Sequence, residues 1–157
     1  MNKGAFNTHV YPDLFSELGI SGEQIEKKIK HTFETMFFHP IERIYFEMGD
    51  NMGYMLDTGN NDARTEGMSY GMMMAVQMGR KDIFDQLWLF SKTYMYQDKG
   101  KYQGYFAWSV STEGVKNAEG PAPDGEDILH WLFSLYFFCL LMLAGRYRIF
   151  VIDGVTI

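Results

Sequence analysis

The chain has 157 residues, 46% of them hydrophobic, which suits one modest domain and argues against disorder. A net charge of −6 excludes nucleic acid as a partner, since phosphates call for a basic face, and the single cysteine, Cys139, excludes an intrachain disulfide and reads as a small apolar residue. Aromatic residues make up 17% of the chain, more than a core of this size needs, and rings to spare suit a sugar, whose apolar face lies flat on an aromatic one.

The opening Met1-Asn2-Lys3-Gly4-Ala5-Phe6 lacks the apolar stretch of a secretory signal, so a cytoplasmic protein is expected. Ser21-Gly22-Glu23-Gln24 has capping-box spacing, and Ile25, Ile29, Phe33 and Phe37 then recur every four residues, which predicts an amphipathic helix ended by Pro40. Its charged face, with Glu26, Lys27, Lys28 and Lys30, reads as solvated. Ile44 to Phe46 and Tyr54 to Leu56 favour extended structure around a glycine-rich turn, either a small hairpin or an extended excursion. Glu66 to Met78 is helical by pattern, with Gly79 placed to end it, and Ile83 to Tyr96 forms a second helix antiparallel to it. From Asp98 to Pro123 the chain is polar and glycine-rich apart from Tyr102, Tyr105, Phe106 and Trp108, the pattern of a long functional loop.

Two segments carry chemistry. In Asn61-Asp62-Ala63-Arg64-Thr65-Glu66-Gly67-Met68-Ser69-Tyr70-Gly71, a glutamate opens a mostly apolar helix, and the flanking glycines let a ligand approach the backbone. Glu66 either complements the helix dipole or serves as a proton donor, and the second role requires burial to outweigh the dipole. In Gly120-Pro121-Ala122-Pro123-Asp124-Gly125-Glu126, Asp124 stands on a rigid corner, either as a helix cap or as a carboxylate held toward a cleft. Met72-Met73-Met74 reads as core filling, and His9, His31 and His39 have no metal-site spacing, so no metal and no cofactor are expected.

The ordered series R-T-E-G-M-S-Y-G-M-M-M-A-V-Q, G-Y-F-A-W-S and P-A-P-D-G-E resembles the family-8 glycoside hydrolases over residues 1–126, and within them the reducing-end xylose-releasing exo-oligoxylanases. The resemblance implies an all-α fold, the N-terminal and incomplete portion of an (α/α)6 barrel of the six-hairpin glycosidase type. It implies an inverting hydrolase of β-1,4-linked xylo-oligosaccharides, with an oligosaccharide as its partner and xylan degradation as its setting. Glu66 matches the family's general acid, Asp124 the aspartate that binds and distorts the sugar before the scissile bond, and Trp108 the aromatic beside the cleft. Tyr70 either borders the sugar or fills the core, and Asp62 and Arg64 either buttress the acid or pair on the surface. The family's catalytic base lies far downstream of the P-A-P-D segment, so these residues alone are expected to be inactive.

Residues 127–157 break the pattern. Where the family continues Y-F-x-x-A-L-x-F, this chain has Asp127-Ile128-Leu129-His130-Trp131-Leu132, an apolar tail read as a frameshift product because a displaced frame restores a similar string. Two alternatives stand beside the hydrolase. One is a membrane anchor formed by the tail, which His130 and Ser134 weaken; the other is a fragment that binds oligosaccharide without cleaving it. Oligomeric state is not legible in this sequence.

Overall fold

A computed structural model describes residues 14–121. Asp124, Cys139, the opening G-A-F and the tail 127–157 therefore lie outside the described residues.

Helix α1 (Leu14–Glu17) is followed by α2 (Gly22–Phe38), whose N-terminus carries the expected capping box. Ser21 Oγ accepts the Gln24 N–H at 3.3 Å, and the Ser21 N–H donates to Gln24 Oε1 at 2.9 Å. Of the expected apolar stripe only the C-terminal half is covered: Phe33 and Phe37 are buried and stack at 4.3 Å, whereas Ile29 is 54% exposed. Phe37 reaches Tyr45, with ring centroids 5.4 Å apart, and so ties α2 to the sheet.

Strands β1 (Tyr45–Met48) and β2 (Met52–Asp57) form a hairpin rather than an extended excursion, in a register that sets Tyr45 opposite Met55. The turn uses Gly49 at a φ of 63°, a left-handed conformation that glycine adopts without steric cost. Strands β3 (Asp62–Arg64), β4 (Ser109–Ser111) and β5 (Lys116–Ala118) extend the hairpin into a five-stranded antiparallel meander in the order β1-β2-β3-β4-β5. The all-α expectation is therefore corrected for the described residues. The strands missed were three residues long, too short to display an alternating pattern, and β4 and β5 lie within the stretch expected to be a loop.

Helix α3 (Thr65–Gln77) leaves β3 directly and ends in a Schellman motif. The Arg80 N–H reaches the Ala75 carbonyl at 2.8 Å, and the Gly79 N–H reaches that of Val76 at 3.1 Å, with Gly79 at a φ of 69°. Helix α4 (Lys81–Phe90) returns antiparallel and packs on β2 through Ile83, Phe84, Leu87 and Phe90. It was expected to run on to Tyr96, but from Ser91 to Met95 the backbone widens into a π-helical turn, where the Ser91 hydroxyl donates back to the Leu87 carbonyl at 2.8 Å.

The two glycines of α3 differ: Gly67 lines a cleft, as expected of a glycine left open to a ligand, whereas Gly71 faces protein. A Cβ built on Gly71 would lie 2.6 Å from Met55 Cγ and 3.1 Å from Leu87 Cδ1, so the close approach is made by β2 and α4. We expect Gly71→Ala to overpack this contact, costing about 1–3 kcal/mol even after a gain in helix propensity of up to about 1 kcal/mol. Urea denaturation of the chain measures it, and a stabilised variant would show that Met55 swings aside freely.

Candidate active site

Strand β3 runs without a loop into α3, so Arg64 is the N-cap of the helix and Glu66 lies in its first turn. No side chain caps this end; the Thr65 N–H donates instead to the Trp108 carbonyl at 3.1 Å, which fixes the helix start to the residue preceding β4.

A cleft of about 650 Å³ opens beside that start. Its floor is apolar, with Met36, Ile44, Met55 and Met74, and its rim is the turn Asp57-Thr58-Gly59-Asn60. Arg64, Glu66 and Tyr70 enter from β3 and α3. Glu66 is half-buried; its Oε2 is buried and has no hydrogen-bond partner among the described residues. Buried carboxylate oxygens are ordinarily satisfied, because an orphaned one costs about 1–3 kcal/mol or more, and Glu66 itself lines the cleft, so the carboxyl group stands at the boundary between cleft and interior. Tyr70 is 46% exposed on the cleft wall one helical turn on, which removes the core reading left open for it.

Trp108 is half-buried and is not part of the cleft lining. Its ring lies under the Arg64 guanidinium, 5.1 Å from centroid to Cζ, so it sits behind the residue that borders the cleft. Arg64 Nε donates to Asp62 Oδ1 at 3.0 Å and lies 3.6 Å from Asp57 Oδ2. The Asp62 hydrogen bond, then the charges of Asp62, Asp57 and Glu66, hold the guanidinium even further above its ordinary range. The surface-pairing alternative for Asp62 fails, since this residue is only 6% exposed. Met72 is core, as expected, but Met74 contributes to the floor. The rim was missed by sequence reasoning, although Asp57-Thr58-Gly59-Asn60-Asn61 has the composition of a tight turn, which was the available signal.

The sequence description of glycosyl hydrolases family 8 matches residues 48–139. The reducing end xylose-releasing exo-oligoxylanase of Halalkalibacterium halodurans is 53% identical over 136 residues, 86% of this chain and 34% of that protein. The reducing-end xylose-releasing exo-oligoxylanase Rex8A of Paenibacillus barcinonensis is 46% identical over 136 residues, 86% of this chain and 35% of that protein. A solved structure of a reducing-end-xylose releasing exo-oligoxylanase complexed with xylose superposes with a TM-score of 0.78 at 53% identity, covering 86% of this chain and 36% of that one. The chain thus spans about a third of the length of the relatives it matches.

The rim has its own pH dependence. Asp57 Oδ1 accepts from the Asn60 side chain at 3.1 Å and from the backbone N–H groups of Asn60 and Gly59 at 2.8 and 3.0 Å. The Asn60 side chain first, then these backbone donors and Arg64, hold the Asp57 carboxyl below the usual carboxylate range. A depressed value in the folded state means that the turn's contribution is present above the unfolded carboxylate range, about pH 4, and is lost as pH falls through the lower folded value. Asp57→Ala should abolish this acid-side loss, and carboxyl chemical shifts followed from pH 6 to 2 would detect it; an ordinary midpoint for Asp57 would contradict the turn's geometry.

Proposed function

Because the chain belongs to glycosyl hydrolases family 8, we propose that, joined to the remainder its relatives carry, it hydrolyses β-1,4-linked xylo-oligosaccharides with inversion, Glu66 donating the proton to the leaving oxygen. The observation that carries this reading is the place of Glu66 in the lining of a cleft about 650 Å³ in volume, with its Oε2 buried and without a hydrogen-bond partner among the described residues. Two relatives 53% and 46% identical, each described as an exo-oligoxylanase, support the substrate class.

In this mechanism the Glu66 proton passes to the glycosidic oxygen as the C–O bond breaks. A carboxylate on the other face takes a proton from the attacking water, the two carboxyl groups standing ~6.5–9.5 Å apart to admit it. Asp124, outside the described residues, is assigned to the sugar preceding the scissile bond, and Tyr70 to its flank. Trp108, set behind Arg64, acts on the site through that residue.

A hybrid tests the assignment: residues 1–126 of this chain replace the corresponding N-terminal third of the Halalkalibacterium halodurans enzyme. It should release xylose with inverted anomeric configuration, read by proton NMR at early times. Glu66→Gln should lower kcat by about 10²–10⁴-fold while oligosaccharide binding survives, since an amide cannot supply the proton. Retained configuration or an active Glu66→Gln variant would refute the role, and binding without cleavage by the unmutated hybrid would favour a saccharide-binding module.

The chain of 157 residues taken alone should release no xylose from xylohexaose, because inversion needs a water activated from the face opposite Glu66. Chromatography against a Glu66→Gln control decides this. Release above the control would mean that another carboxylate of this chain, or of a second copy, completes the pair.

A further inference from the structure

We propose that Arg64 is a positioning residue for the proton donor, locking the first turn of α3 to Trp108 through a buried anchor at Asp62; this rests on Glu66 being the acid. Asp62 is 6% exposed and has both carboxylate oxygens engaged, Oδ1 by Arg64 Nε at 3.0 Å and Oδ2 by the Ser109 hydroxyl at 2.6 Å. Ser109, itself 1% exposed, accepts in turn from Asn117 Nδ2 at 3.0 Å. The chain of bonds therefore crosses β3, β4 and β5 and ends on the guanidinium.

An ion pair with a buried carboxylate is a poor way to hold three short strands together, because desolvating Asp62 cancels much of the attraction and an apolar contact would serve as well. What it supplies is a fixed, flat cation. One edge of Arg64 is held by Asp62, its face lies on Trp108, and it borders the cleft beside Glu66. The next peptide N–H, that of Thr65, is bound by the Trp108 carbonyl, so the acid and the aromatic cannot shift independently.

The charge arrangement gives this role a signature that mere structural support would not have. The titratable groups lining the cleft with Glu66 are Arg64 from β3, Asp57 from the β2–β3 turn and Tyr70 from its own helix, with Asp62 behind Arg64. Activity needs Glu66 protonated, so the alkaline limb of the pH profile follows its proton affinity. Removing the cation leaves Asp57 and Asp62 uncompensated, which favours the protonated acid and moves that limb up. Neutralising Asp62 exposes Glu66 to the cation and moves the limb down.

The hybrid enzyme described above is the vehicle, with Arg64→Met, Arg64→Lys and Asp62→Asn compared. Arg64→Met should lower kcat by about 10–100-fold through misplacement and move the alkaline limb up by roughly half a pH unit. Asp62→Asn, nearly isosteric, should move it down by a similar amount. Arg64→Lys keeps the charge but not the flat fork, so the limb should stay in place while KM rises several-fold. Unmoved limbs in both Arg64→Met and Asp62→Asn, limbs moving in the same direction, or an Arg64→Lys variant indistinguishable from the parent would each overturn the proposal. An inactive unmutated hybrid would instead remove the assignment of Glu66, and this inference with it.

Discussion

The contact of Met55 with Gly71 and Leu87 is the constraint on which the rest depends. It brings α3 against β2 more closely than any side chain on the helix would permit, and it joins α4 to the same strand. Met55 is 2% exposed and stands opposite Tyr45, whose hydroxyl donates to Gln86 Oε1. Burial, reinforced by the charges of Glu47 and Asp82, pushes that phenol up to about 12, so it remains a neutral donor throughout the physiological range. With the helix seated on the sheet, the end of β3 and the beginning of α3 have one course available, and that course delivers Glu66 to the cleft.

Closeness on one side creates the opening on the other. Met55 contributes to the packing beneath α3 and also to the floor of the cleft, as Met74 does from the helix itself. A flexible thioether fills such a shared boundary well, being able to pack against core and ligand alike. The polar groups are confined to the rim and to the first turns of α3, so a ligand here meets an apolar base and a polar edge. A pyranose ring, with its apolar face and equatorial hydroxyls, has the same division.

Legibility followed the length of the local signal. The first hairpin was one of two open readings, and the capping box at Ser21 and the Gly79 stop, each resting on four or more neighbouring residues, were readable. Strands β3 to β5 were not, because Asp62–Arg64 and Ser109–Ser111 are held by long-range pairing, Asp62 opposite Ser111 and Arg64 opposite Ser109, and not by their own pattern. The π-helical turn was hidden for a similar reason: Ser91 suits an amphipathic helix, and only its burial beside Leu87 reveals the bond that widens the backbone. At the cleft, Glu66 and Tyr70 had been singled out from motif wording, and both line it. For Arg64 the sequence left buttressing and surface pairing open, since its three partners, Asp57, Asp62 and Trp108, meet only in the fold.

The exposed apolar surface follows from the same architecture. Leu14, Phe15, Leu18, Ile29 and Ile41 are all more than half exposed, and they lie on α1 and the turn after it, on α2 and on the segment after α2. Helix α2 has the periodicity of a helix covered along its whole apolar stripe, yet only Phe33 and Phe37 find that cover among the described residues. Relatives that this chain matches over a third of their length have the remaining chain with which to cover such a face. The cleft is likewise bounded on one side by β3 and α3, and on the proposal that Glu66 is the acid of an inverting pair, the second carboxylate stands on the opposite face. A site divided in this way ties catalysis to closure of the whole fold, because the distance between the two carboxyl groups is set by packing between segments far apart in sequence.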